Sequence, residues 1–222
     1  MNHLVIAILT YIAIVCINLT KFTFEFHAAN TLSYIIMILS YLYSSRADYR
    51  RRIVNFYSSM KSGAFYALIP HAFNLAILGT SGYAQITGYS YPILQILSCT
   101  VSSFSEELYF RFFLYENFQK AVGRITFSII VVSAMFSIYH LPPKLDVTLT
   151  IFISSYFIMG VILQELYIRD GLLTPILFHT AFNLIGGVYA ISLNTLASII
   201  YNSTLTLALV VFMIANNISA DA

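Results

Sequence analysis

PILQILSCTVSSFSEELYFRFFLYENF, residues 92–118, is the stretch whose reading decides the fold. It is long enough to cross a bilayer, which takes about 20 mostly apolar residues. Its middle nevertheless reads Ser105-Glu106-Glu107-Leu108-Tyr109-Phe110-Arg111. On insertion scales each charge at the bilayer centre costs about 2.5–3.5 kcal/mol. Two carboxylates and a guanidinium in one span must therefore face one another, other polar groups or water, which makes the stretch a candidate site. The other segments are read for the partners they bring to it.

The composition sets the solvent. Of 222 residues, 59% are hydrophobic and 9% charged, whereas a soluble domain carries roughly 25% charged residues. Such a chain cannot cover a globule with polar surface, so the bilayer is the expected environment. A net charge of +2 offers no footing for nucleic acid. Cys16 and Cys99 stand far apart in apolar segments without any Cys-x-x-Cys, and both are expected to be small buried residues rather than zinc ligands or a disulfide. Trp is absent, so interfacial anchoring falls to the 17 tyrosines. The apolar run Leu4 to Leu19 has no basic residue before it and no small-residue cleavage site after it, and is expected to be an uncleaved first span.

Eight spans can be placed, at about 3–20, 28–45, 62–79, 92–118, 124–140, 146–167, 172–192 and 196–215. The fourth starts at Pro92, where a missing N–H costs little. The fifth is stopped by Leu141-Pro142-Pro143. No switch from helix to strand, no linker and no repeat is evident. The expectation is an all-α polytopic helix bundle forming one domain over 1–222. Arg46, Arg50, Arg51, Arg52, Lys61, Lys120, Arg124 and Arg169 fall on one side of these spans, and Lys21 and Lys144 on the other. The positive-inside rule then puts both termini in the cytoplasm of a multi-pass cell-membrane protein.

Spacing sorts the polar residues of the spans. Glu107 and Arg111 are four apart with the acid N-terminal, the better orientation for an ion pair on one helix face. Glu106 points about 100° away around the helix and is the free carboxylate. Phe136 and His140 are four apart at the end of the fifth span, and His179 and Asn183 four apart in the seventh. Each piece alone has a bland reading: an intramembrane His as a hydrogen-bonding packer, His-x-x-x-Asn as interhelical glue. Together, on three spans, they can line one polar cavity. A Glu and a His can activate water, and a second His with an Asn amide can donate to a developing oxyanion, which are the parts of a peptide-bond hydrolase. Convergence requires tilted helices or helix ends sunk into the membrane, and the short fifth span, about 25 Å against a core of about 30 Å, suggests the latter.

In their order, Glu106-Glu107-x-x-x-Arg111, Phe136-x-x-x-His140 and His179-x-x-x-Asn183 resemble the motifs of the CPBP family, the CAAX prenyl protease and bacteriocin-processing (Abi-type) proteins. The resemblance covers about residues 90–190. It implies an intramembrane endopeptidase with an eight-helix fold, in which Glu106 and His140 activate water, His179 and Asn183 stabilise the oxyanion, and Glu107 and Arg111 support them. Phe112 stands where many members carry Gly after the motif Arg, which bears on helix packing beside the site. A metal-free mechanism is favoured, since no His-Glu-x-x-His is present and Asn is a poor zinc ligand. Zinc held by Glu106, His140 and His179 is the alternative.

The implied partners are a membrane peptide or protein substrate and the lipid bilayer. Two other classes compete. One is a non-catalytic bacteriocin-immunity or membrane interaction protein using the same pocket. The other is a proton or solute pathway, disfavoured by the lack of a repeat or paired broken helices. Outside the motifs, His71 beside Pro70 is expected to make a structural hydrogen bond near the kink. Glu116–Lys120 and Glu165–Arg169 are expected as i,i+4 surface pairs. Lys144 and Asp146 are expected near an entrance or in solvent, and Gly186-Gly187 to permit close helix approach.

Overall fold

The structure is a computed structural model that describes residues 3–20, 26–44, 56–88, 92–141, 149–191 and 195–220. Its helices are α1 (His3–Thr20), α2 (Phe26–Ser44), α3 (Phe56–Thr80), α4 (Pro92–Glu107), α5 (Tyr115–Val122), α6 (Ile125–Tyr139), α7 (Leu149–Asp170), α8 (Leu173–Gly186) and α9 (Thr195–Ala220). A π-helical segment, Leu108–Leu114, joins α4 to α5 without a break. With that junction counted as one helix, the described residues hold eight helices, in the order expected. The lysine and arginine clusters at Arg46–Arg52 and the residues Lys21, Lys144, Asp146, Pro142 and Pro143 lie outside the described residues.

Why these segments are helical follows from their side chains. The hydroxyls that interrupt the apolar runs bond back to the carbonyl one turn earlier: Thr10 to Ile6 at 2.8 Å, Ser40 to Ile36 at 2.7 Å, Thr100 to Ile96 at 2.7 Å. A hydroxyl satisfied within its own helix carries no unpaired donor into an apolar environment. Leu9, Leu39, Phe65, Ile93, Leu94 and Val211 point outward, giving the bundle an apolar surface suited to lipid. Two helical stretches, His3–Thr20 and Gly63–Thr80, are long and apolar enough to cross a membrane by length and composition alone. Helices α6 and α8, with 15 and 14 residues, rise only about 21–23 Å at 1.5 Å per residue, short of the core of about 30 Å.

Two departures from the sequence reading concern chain geometry. The fourth span is not a uniform α-helix. The Tyr115 N–H bonds the Phe110 carbonyl, five residues back, and all seven side chains of the π segment are buried. Such bulges gather at functional sites because the extra residue re-aims the side chains around it. There is also a strand ribbon that apolar periodicity did not reveal. β1 (Ala84–Ile86) pairs antiparallel with β2 (Tyr189–Ile191), Gln85 opposite Ala190. α8 accordingly stops at Gly186 rather than running to 192.

The junction α4–π lies between α2 and α8, while α3 packs on α8 and α9, and α6 on α7. Two glycines permit the closest crossings. A Cβ on Gly63 would sit 2.8 Å from the Thr174 carbonyl oxygen of α8, and one on Gly160 would sit 3.0 Å from the Ser133 backbone of α6. Gly186 has only the His71 ring at 3.4 Å. The closest approaches are therefore at Gly63 and Gly160, and the one at Gly186 is to a side chain. The core joins Tyr11, Phe110, Phe113, Phe136, Leu163 and Phe178 from five different elements. Phe110 meets Phe136 edge-to-face at 5.2 Å.

Candidate active site

Glu106 and Glu107 are the last two residues of α4, where the backbone changes from α to π. Glu107 is fully buried, and its Oε2 accepts the Arg111 Nε–H at 2.9 Å, the ion pair expected from the spacing. Its other oxygen is not idle. Oε1 lies 2.8 Å from His179 Nδ1 on α8, so Glu107 bridges two helices instead of serving Arg111 alone. A carboxylate can only accept when ionised, which makes Nδ1 the protonated nitrogen and turns His179 Nε2 away from it.

That nitrogen faces Glu106. Glu106 Oε2 is 3.3 Å from His140 Nε2 and 3.9 Å from His179 Nε2. The oxygen is buried and has no hydrogen-bond partner among the described residues. His140 Nδ1 is 2.9 Å from the Phe136 carbonyl oxygen, an acceptor only, so Nδ1 carries a proton and Nε2 is the nitrogen presented to Glu106. The four-residue spacing of Phe136 and His140 thus has a backbone role as well as a side-chain one. His140 caps the end of α6 by donating to its own helix, and its N–H bonds the Ser137 carbonyl at 3.1 Å.

Asn183, one turn beyond His179, donates from Nδ2 to Ser103 Oγ at 3.1 Å. Ser103 is fully buried. It precedes Glu107 by one helical turn and so shares its face, a spacing legible in the sequence. Two aromatic rings complete the surroundings. Phe136 lies under the Arg111 guanidinium, with Cζ 4.7 Å from its centroid, and meets the His179 ring edge-on at 6.0 Å. Tyr156 of α7 stacks on His140 at 4.4 Å and 16°. No local spacing links Tyr156 to the other motifs, and only the packing of α6 on α7 could have found it.

Helix α1 also reaches the site from outside. Tyr11 donates to the Met135 carbonyl at 2.9 Å and Asn18 to the Tyr139 carbonyl. The Tyr139 carbonyl is at the end of α6, where no intrahelical donor remains, and the Met135 carbonyl lies one turn before it. Tyr109 of the π segment donates to Ala7 of α1 at 2.8 Å. Phe112, at the position noted for Gly, is buried against Tyr41 of α2, edge-to-face at 5.2 Å.

All six site residues named from the sequence, Glu106, Glu107, Arg111, His140, His179 and Asn183, fall in this one cluster. Among the described residues no group of three His, Cys, Asp or Glu side chains is placed to hold a metal ion. Elsewhere, His71 lies outside the cluster and bonds the Phe182 carbonyl at 2.8 Å. Arg169 pairs with its neighbour Asp170, at 2.8 and 3.0 Å, in place of Glu165. Glu116 accepts the Tyr167 hydroxyl at 2.8 Å. Cys99 is buried as expected, but Cys16 is exposed on α1.

No match is found among curated proteins. Residues 88–185, which include all three motifs, match the family described as type II CAAX prenyl endopeptidase Rce1-like. This is a family of membrane helical proteases, in keeping with the bundle and with the CPBP resemblance of the motifs. Over residues 88–185 the chain is similar to the Rce1-like family of CAAX-type intramembrane proteases.

Proposed function

We propose that this protein hydrolyses a peptide bond of a membrane-associated peptide or protein, using a water activated by Glu106 and His140. The observation that carries the reading is the buried Glu106 oxygen flanked by two imidazole Nε2 atoms, at 3.3 and 3.9 Å. A carboxylate and an imidazole nitrogen this close can both reach one water, and the pair takes a proton from it. The hydroxide so formed adds to the carbonyl carbon, and the carbonyl oxygen becomes an oxyanion. His179, oriented through Nδ1 by Glu107, acts in this scheme as the imidazolium, whose Nε2–H donates to that oxygen, and Asn183 has a second amide N–H beyond the one given to Ser103. Collapse breaks the C–N bond, and the proton held by Glu106 and His140 passes to the departing nitrogen.

Glu107 and Arg111 do not react in this scheme. They hold His179 in place as a buried, mutually neutralising pair. The chemistry uses side chains alone, and no step is routed through a metal. The whole 222-residue chain acts as one domain in a multi-pass cell-membrane protein with both termini in the cytoplasm.

The test uses purified full-length protein in nanodiscs and an internally quenched farnesylated peptide ending in Cys-aliphatic-aliphatic-X. A panel of membrane peptides follows if that substrate is not cut. Cleavage by wild type that is lost in both Glu106→Gln and His140→Ala supports the reading. Cleavage unchanged in both variants overturns it, and loss on treatment with a chelator, restored by zinc, overturns the metal-free scheme. A cellular phenotype that survives Glu106→Gln with the protein still inserted points instead to a binding role.

A further inference from the structure

Of the groups proposed to react, His140 is the one least held by its own helix. It sits one residue past the end of α6, and among the described residues the only hydrogen bond of its side chain runs from Nδ1 to the Phe136 carbonyl at 2.9 Å. Its side chain is 17% exposed, against 6% for Glu106 and for His179. One hydrogen bond fixes a point on the ring but leaves the ring free to swing about it. What sets the plane must come from the rings around it.

Among the described residues three aromatic rings touch His140. Phe136 and Tyr139 belong to α6 and meet it tilted, at 4.4 Å and 50°, and edge-on, at 4.9 Å and 87°. Tyr156 is the one contributed by another helix, and the one lying parallel to it, at 4.4 Å and 16°. A parallel face prevents rotation out of plane, which a tilted or edge-on ring does not. Beyond Tyr156, between α7, α8 and α9, lies an apolar cavity lined by Tyr156 itself, Met159, Phe182, Tyr201, Leu205 and Leu209. Tyr156 thus borders this cavity and stacks on the reacting imidazole. The α9 residues lining the cavity lie beyond the segment 88–185 that carries the family match.

We infer that Tyr156 is a positioning residue, which by stacking on His140 holds its Nε2 toward Glu106 and so sets the rate of the chemical step. The inference rests on the hydrolase reading for its kinetic consequence and on ring geometry alone for its structural one. Misplacing a reacting group by about 1 Å can cost on the order of a hundredfold in rate. The ring's own volume supplies the room: without it, the imidazole can tilt away from the carboxylate.

Two measurements on full-length protein in nanodiscs test this. In the first, histidine-labelled protein is compared by NMR for the Cε1–H resonance of His140, assigned by its loss in His140→Ala. Tyr156→Phe keeps the upfield ring-current shift, and Tyr156→Leu loses it. In the second, the quenched farnesylated peptide is assayed. Tyr156→Leu lowers kcat on the order of tenfold to a hundredfold with KM unchanged, and Tyr156→Phe restores kcat to within about twofold of wild type. If Tyr156→Leu does not fold, Tyr156→Met with Leu205→Phe filling the cavity serves in its place. An unshifted resonance in wild type, equal kcat for the Leu and wild-type proteins, or equal loss in the Phe and Leu variants overturns the inference. Absence of hydrolysis by wild type of this peptide and of the whole membrane-peptide panel overturns the hydrolase reading, and the resonance then still decides whether Tyr156 positions His140.

Discussion

At Glu106 and Glu107, two adjacent residues of one type are given different tasks by their surroundings. Glu107 is saturated, with Arg111 on one oxygen and His179 on the other. Glu106 keeps a buried oxygen without a hydrogen bond, facing two imidazoles. Glu106→Gln is expected to lower peptide cleavage by about 10²- to 10⁴-fold, the usual worth of a positioned acid–base group. The same change at Glu107 acts through His179. The Glu107–Arg111 pair makes a stability prediction. Arg111→Met strands a carboxylate that is 0% exposed, and is expected to cost about 3–5 kcal/mol. The double variant Glu107→Gln with Arg111→Met should lose distinctly less than the single changes added together. Unfolding in detergent followed by circular dichroism reads both, and an Arg111→Met protein as stable as wild type would refute the claim.

Between elements, small residues decide how closely helices meet. Gly63 of α3 faces the Thr174 carbonyl of α8 at a distance no side chain can occupy, and that carbonyl belongs to rigid backbone. Since α8 carries His179 and Asn183, pushing it away should disturb the site as well as the fold. Gly63→Val is expected to destabilise by about 1–3 kcal/mol and to reduce cleavage, whereas Gly79→Ala, with open space around it, should stay within about 0.5 kcal/mol of wild type. Paired thermal melts and assays check the contrast. The π segment works at the same scale. It lets Leu108–Leu114 bury every side chain while Glu106 and Glu107, just before it, face inward. α5 is then ended by Gly123 at φ 71°, whose N–H bonds the Gln119 carbonyl, a left-handed stop that favours glycine.

For the whole molecule, the apolar outer surface and the buried polar cluster are two consequences of one solvent. Lipid accepts the outward Leu, Ile and Phe side chains and excludes the charges, which must then find one another inside. Helices α6 and α8 are too short to span the full core as straight helices. The eight-helix count requires both termini on one side if every helix crosses the bilayer. Reporter fusions at the N- and C-terminus should therefore respond alike, as cytoplasmic, in intact cells. Opposite responses would mean that one helix does not cross.

What the sequence determined by itself is what helix geometry makes local. Spacing of four residues paired Glu107 with Arg111 and set Phe136 against His140, because neighbours one turn apart share a face in any α-helix. The cost of charge in lipid made Glu106, Glu107 and Arg111 conspicuous without any knowledge of their partners. The tertiary structure decided the rest. Helices that are apolar nearly all round carry no stripe announcing which face meets which neighbour, so the Glu107 bridge to His179, the Asn183 bond to Ser103 and the Tyr156 stack on His140 had no local signal. The π segment is invisible for a related reason: Leu108 to Leu114 suit either helix, and only burial on every side selects the wider one. Local spacing chose the residues, and the packing of α4, α6, α7 and α8 set which of their atoms face one another.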